Sequence, residues 1–107
     1  MDDLETYARR HLEWSLRVFG PGHQTESLTR HIEKELVEVR AKPDDLIEWV
    51  DVILLALDGY LRHGGTPATI LADLRRKQEI NLARTWTEPA GADQPVEHVR
   101  SDEHPKT

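Results

Sequence analysis

Apolar residues recur along this chain at steps of three and four, the pattern of helices that bury one face. Leu4, Tyr7, Ala8, Leu12 and Leu16 keep that spacing and predict a first helix over residues 2–18. It should stop at Phe19-Gly20-Pro21-Gly22, where Gly and Pro together break helical structure. Leu28, Ile32, Leu36 and Val39 resume the pattern in a second helix, with Thr25 expected as its N-cap and Glu26 favourable in its first turn. Lys42-Pro43 ends that helix near Ala41, because the residue before a proline avoids helical geometry. A third helix, capped by Asp44 or Asp45, should reach about His63 and stop at Gly64-Gly65. Thr66-Pro67 reads as the N-cap and first position of a fourth helix, which runs to about Thr85 with Ile70, Leu71, Leu74 and Leu82 on its apolar side.

The Val- and Ile-rich run from Trp49 to Leu57 resembles a strand locally, but it continues at helical spacing to Leu61 and so belongs to the third helix. That helix is apolar almost all round, which calls for cover on several sides. One 107-residue bundle has too little chain to supply it, so a partner subunit is expected over part of this helix. From Glu88 onward the text EPAGADQPVEHVRSDEHPKT holds three prolines, many charges and little to bury. The expected architecture is therefore all-α: a four-helix bundle over residues 1–87, completed by oligomerisation, and a flexible polar tail over residues 88–107.

Composition narrows the partners. A formal net charge of −6 argues against a nucleic-acid polymer or an anionic membrane, since both need a basic footprint. With no cysteine, disulfides, thiolate zinc sites and cysteine nucleophiles are excluded. The start, MDDLETYARRH, carries no apolar signal core, and the longest apolar stretch, Leu46 to Leu61, is short for a membrane span and broken by Glu48, Asp51 and Asp58. A cytoplasmic protein is expected. The six histidines show none of the spacings of a zinc site.

The acidic residues carry the chemistry. Glu35 and Glu38 lie one turn apart on the second helix, and Glu48 and Asp51 repeat that spacing on the third. The short linker predicts an antiparallel hairpin with both pairs facing one groove. Ile32 and Leu36 flank the first pair, and Trp49, Val50, Val52 and Ile53 surround Asp51. Ionised carboxylates among such neighbours are costly unless paired, and four together repel one another. Either protons or cations must resolve this, and among cations Mg²⁺ or Mn²⁺ suit the hard oxygen ligands. On the fourth helix Leu74, Lys77, Asn81 and Arg84 share a face, which is either an ordinary polar stripe or a cation and an amide placed to hold phosphate or sugar oxygens.

These residues resemble the MazG-like all-α nucleoside triphosphate pyrophosphohydrolases, whose motif is E-x-x-E, a spacer, then E-x-x-D. Here it reads Glu35-Leu-Val-Glu38 and Glu48-Trp-Val-Asp51. The similarity is closer to the small phage and bacterial branch described as dATP/dGTP pyrophosphohydrolases, through FGPGHQT, HIEKELVEV, DLIEWVDVILLALDGYLRHG and KQEINLARTW, over about residues 12–87. The resemblance implies metal-dependent hydrolysis of a (deoxy)nucleoside triphosphate to monophosphate and diphosphate, with dGTP the leading substrate and GTP or dATP next. It implies Mg²⁺ or Mn²⁺, two or more ions per site, on Glu35, Glu38, Glu48 and Asp51, and triphosphate or sugar contacts from Lys77, Asn81 and Arg84. It further implies homodimers or homotetramers and, for a phage-encoded chain, the host cytoplasm. Many family members carry paired glutamates at the first motif. Here Lys34 precedes Glu35, and Glu33 faces another side of the helix, which leaves the metal count open.

The expected reaction is attack of water on the α-phosphorus, with Glu38 the first choice to take the proton and Glu35 beside it. Phe19, His23, Gln24, Trp49 and Trp86 are candidates for stacking on or hydrogen-bonding to a purine. Phe19 and His23 sit in a Gly-Pro loop, where binding residues tend to gather. Asp58 continues the ridge of Glu48 and Asp51 and either binds ribose or meets an arginine. The rival readings are a house-cleaning hydrolase of non-standard or pyrimidine nucleotides, and a non-catalytic helical adaptor whose acids serve solubility.

Overall fold

The computed structural model describes residues 3–88, 91 and 93–99. Four helices form, α1 (Leu4–Phe19), α2 (Thr25–Ala41), α3 (Leu46–Arg62) and α4 (Ile70–Ala83), and no strand is present among the described residues. The chain divides into two compact units, one ending at Leu71 and the other beginning at Ala72, so α4 straddles the division.

In the first unit the helix starts follow from side-chain chemistry. Asp3 caps α1 by accepting a 2.8 Å bond from the Thr6 amide, and Asp45 caps α3 by accepting from the Ile47 amide at 3.2 Å. The start of α2 differs from the expected Thr25 cap. Gln24 occupies the left-handed region (φ 53), and Thr25 is already the first helical residue. The turn is imposed by the preceding loop, in which Gly20 (φ 83) and Gly22 (φ 100) also take left-handed backbone that only glycine adopts without strain. The Gln24 amide nitrogen secures this loop by donating to the Phe19 carbonyl at 2.6 Å.

The start of α4 is also later than Thr66-Pro67 suggests. Residues 67–69 form a separate turn in which the Thr66 amide donates to Thr69 Oγ1 at 3.0 Å, and the Tyr60 hydroxyl meets the same oxygen at 2.7 Å. The Thr69 amide, which a Thr66 side-chain cap would have served, donates instead to the Thr66 carbonyl at 3.1 Å, and the helix begins at Ile70.

The four-residue linker after Ala41 folds α2 back along α3, and α3 also packs on α1. The core is small. Ala8, Leu61 and Ile70 form its buried centre, with Leu4, Leu12, Leu57 and Tyr60 packed around them. Much of α3 stays wet: Leu46, Ile47 and Ile53 are 73%, 66% and 62% exposed. The cover that an all-round apolar helix needs is thus only partly supplied by α1 and α2.

In the second unit α4 ends at Ala83 rather than Thr85. Both the Arg84 amide and the Trp86 indole donate to the Asn81 carbonyl, at 3.3 and 2.9 Å, which closes the helix. Thr87 then donates to the Glu97 carbonyl at 2.8 Å, and Val99 to the Thr85 carbonyl, so residues 85–87 and 97–99 pair as an isolated antiparallel bridge. His98 is buried there, edge-on to Trp86 with ring centroids 5.5 Å apart. Part of the stretch expected to be a tail therefore carries backbone pairing. Residues 89, 90, 92 and 100–107, where the rest of that expectation falls, lie outside the described residues.

Candidate functional site

Three of the four expected acids converge. Glu35 from α2 and Glu48 and Asp51 from α3 each bring a carboxylate oxygen within 4.8 Å of the other two. The hairpin dictates this. Glu48 and Asp51 are one turn apart on α3, and the return of the chain at Pro43 lays Glu35 opposite them. Glu38 lies one turn further along α2, exposed and outside the trio. Its charge still reaches the group. Loss of hydration first, and then the charges of Asp45, Glu38, Asp51 and Glu35, hold the Glu48 carboxyl above the ordinary carboxylate range. His31 Nε2 stands 3.3 Å from a Glu35 oxygen, one helical turn away.

The chemistry of this donor set fits a hard divalent cation. It consists of half-buried carboxylates alone, converging to a span that one ion bridges after small side-chain adjustment. Among the described residues no lysine or arginine is paired with any of the three, so their repulsion is relieved only by protons or by a cation from outside.

Glu35 and Asp51 also line a cleft of about 270 Å³. It follows α3 from Asp51 through Leu54 and Leu55 to Asp58, about 10 Å at 1.5 Å per residue. The opposite side comes from α1 and the loop after it, through His11, Trp14, Ser15, Phe19 and Gln24. Trp14 and Phe19 meet edge to face with centroids 5.5 Å apart. Acids that suit a cation therefore share one cleft with aromatic rings that suit a planar base.

The other sequence candidates are distributed as follows. Phe19 and Gln24 line the cleft. His23 lies outside its lining, stacked on His63 at 4.8 Å. Trp49 is also outside it: its indole donates to the Pro43 carbonyl at 2.8 Å and fastens the α2–α3 linker. Asp58 lines the cleft but meets an arginine, with Oδ2 accepting from Arg62 Nε at 2.9 Å and Oδ1 lying 3.2 Å from His11 Nε2. Lys77, Asn81, Arg84 and Trp86 belong to the second unit, Lys77 exposed and Asn81 and Arg84 half-buried.

Sequence reasoning passed over His11, Trp14 and Ser15, which enter α1 as unremarkable members of an amphipathic helix. The signal for them is a polar or aromatic residue at steps of three and four, His11, Trp14, Ser15, on the face next to the apolar stripe.

The described residues contain no helix long and apolar enough to cross a membrane. Over residues 7–105 the chain matches the family described as dATP/dGTP pyrophosphohydrolase. It is 35% identical over 98 residues to the Eaa protein of Salmonella phage P22, which covers 92% of this chain and 30% of that protein, so the chain spans under a third of this relative's length. No solved structure matches it. A family match over nearly the whole chain, together with the phage relative and the converging acids, places this chain in the dATP/dGTP pyrophosphohydrolase family.

Proposed function

We propose that the chain hydrolyses a purine deoxynucleoside triphosphate, dGTP first and dATP next, to the monophosphate and diphosphate. The observation that carries the reading is the convergence of Glu35, Glu48 and Asp51 at a cleft that also holds Trp14 and Phe19. Family membership supports the reaction class, because the family is named for it.

Glu35, Glu48 and Asp51 would hold Mg²⁺ or Mn²⁺, whose charge offsets that of the phosphate oxygens and whose bound water ionises more easily. The remaining work belongs to side chains. Water attacks the α-phosphorus, the bond from that phosphorus to the bridging oxygen breaks, and diphosphate leaves with the electron pair. Glu38, exposed and outside the trio, takes the proton of the attacking water. Trp14 and Phe19 offer faces on which a purine stacks and from which water is displaced. Lys77, Asn81 and Arg84, in the second unit, are the donors that the family resemblance implies for triphosphate and sugar oxygens. A second copy of the chain, as dimer or tetramer, covers the exposed apolar start of α3 at Leu46, Ile47 and Ile53.

The test is a panel of purine and pyrimidine nucleotides with Mg²⁺ or Mn²⁺, following diphosphate and monophosphate together. Equimolar release of both, greatest with dGTP, is expected. Inorganic phosphate without diphosphate overturns the reaction class, and preference for a pyrimidine or damaged nucleotide overturns the substrate. Mg²⁺ with dGTP should also raise the melting temperature by mass action, and an unchanged Tm favours the adaptor reading.

A further inference from the structure

Arg62 is buried in the first unit, with its side chain 1% exposed. Four of its five N–H donors are engaged. Nε donates to Asp58 Oδ2 at 2.9 Å, Nη1 donates to the carbonyls of Gly20 and Gly22 at 2.9 Å each, and Nη2 donates to Ser15 Oγ at 2.8 Å. Ser15 is itself wholly buried, and the other oxygen of Asp58 holds His11 Nε2 at 3.2 Å. Asp58 pairs with a permanent cation and acts as acceptor, so His11 carries a hydrogen on Nε2 and its ring is fixed in orientation.

These partners belong to opposite sides of one cleft. Ser15 and His11 line it from α1, Asp58 lines it from α3, and the loop bonded through Gly20 and Gly22 connects the lining residues Phe19 and Gln24. That loop runs through three left-handed residues, Gly20, Gly22 and Gln24, a backbone that persists only when its surroundings hold it. A planar fork with donors on three nitrogens reaches all four partners at once, and an ammonium does not.

We propose that Arg62 is a positioning residue for nucleotide binding: without touching ligand, it sets the spacing between the Phe19–Gln24 loop and His11 and so the width of the base-binding part of the cleft. The inference rests on the nucleotide reading above, and it assigns Arg62 to substrate affinity, separate from the acid trio.

The test uses the full chain and the variants Arg62→Lys and Ser15→Ala, with dGTP and Mn²⁺. Arg62→Lys keeps the charge beside Asp58 but loses the fork. It is expected to raise KM about ten- to hundredfold, the scale of a misplaced binding wall, with kcat changed by no more than about threefold. Mn²⁺ affinity without nucleotide, read by electron paramagnetic resonance, should stay at the wild-type value. Unchanged KM, or kcat and Mn²⁺ affinity falling together in step with the folded fraction, overturns the inference. Should Arg62→Lys fail to fold by circular dichroism, Ser15→Ala decides. It removes one of the four bonds and should raise KM about three- to tenfold, the equivalent of one hydrogen bond, while an unchanged KM overturns the proposal. Wild-type protein that releases no diphosphate from any nucleotide overturns the underlying reading and this inference with it, an outcome distinct from active wild type with insensitive variants.

Discussion

Asp51 and Asp58 stand seven residues apart on the same face of α3 and line the same cleft, yet their surroundings are opposite. Asp58 is buried, with an arginine on one oxygen and a histidine on the other. Asp51 converges with two further carboxylates, from Glu35 and Glu48, and no arginine or lysine is paired with it among the described residues. A carboxylate matched by a cation of its own chain is part of the scaffold. A cluster without one is incomplete until a proton or a metal arrives. The same residue type, two turns along one helix, is therefore matched by an arginine at one end and gathered with other acids at the other.

The strongest way to break this contrast is at the chemical end. On the proposed function, Asp51→Asn would remove a ligand of a metal that offsets several kcal/mol of transition-state charge. At tenfold per 1.36 kcal/mol, diphosphate release is expected to fall on the order of 10³-fold, with far-UV circular dichroism unchanged. Residual activity near the wild-type level would return Asp51 to the ordinary polar surface.

The scaffold end should respond in stability. Asp58→Ala leaves the Arg62 guanidinium enclosed without its carboxylate, and urea unfolding should show a loss of about 3–5 kcal/mol. Asp51→Asn in metal-free protein should show no such loss. Equal losses in the two variants would erase the distinction between them.

The smallest effect sharpens the comparison through pH. The Glu48 carboxyl titrates above its ordinary 4.5 in the folded protein, so the native state holds that proton more tightly than the unfolded chain. Its contribution to stability is therefore present below 4.5 and is lost as pH rises through the raised value. At neutral pH the ionised Glu48 burdens the metal-free fold. Glu48→Gln should raise the melting temperature in a chelator at neutral pH, and the gap over wild type should close as pH falls below 4.5. A gap that is independent of pH would point to packing rather than charge.

How much of this was legible beforehand depends on distance along the chain. The helices, the hairpin and three converging acids follow from spacings of three and four residues, which sequence displays directly. The Arg62 network does not, because its partners Ser15, Gly20 and Gly22 lie 40 to 47 residues away and share no period with it. Asp58 could be read only as a choice between ribose and arginine, since the choice depends on that network. Sequence shows the aromaticity of Trp49 but not its anchoring of the linker. Its indole is occupied by the Pro43 carbonyl, a bond set by the shape of the turn.

The loop between α1 and α2 carries one more consequence. A Cβ added at Gly20 or Gly22 would meet nothing within 4 Å, so there is ample room at both positions for a larger residue. What excludes one is the sign of φ, +83 and +100. The demand is for handedness: the mirror-image form of alanine would rest comfortably in the conformation that natural alanine resists. The course of this loop is thus guarded by chirality, with free space around it.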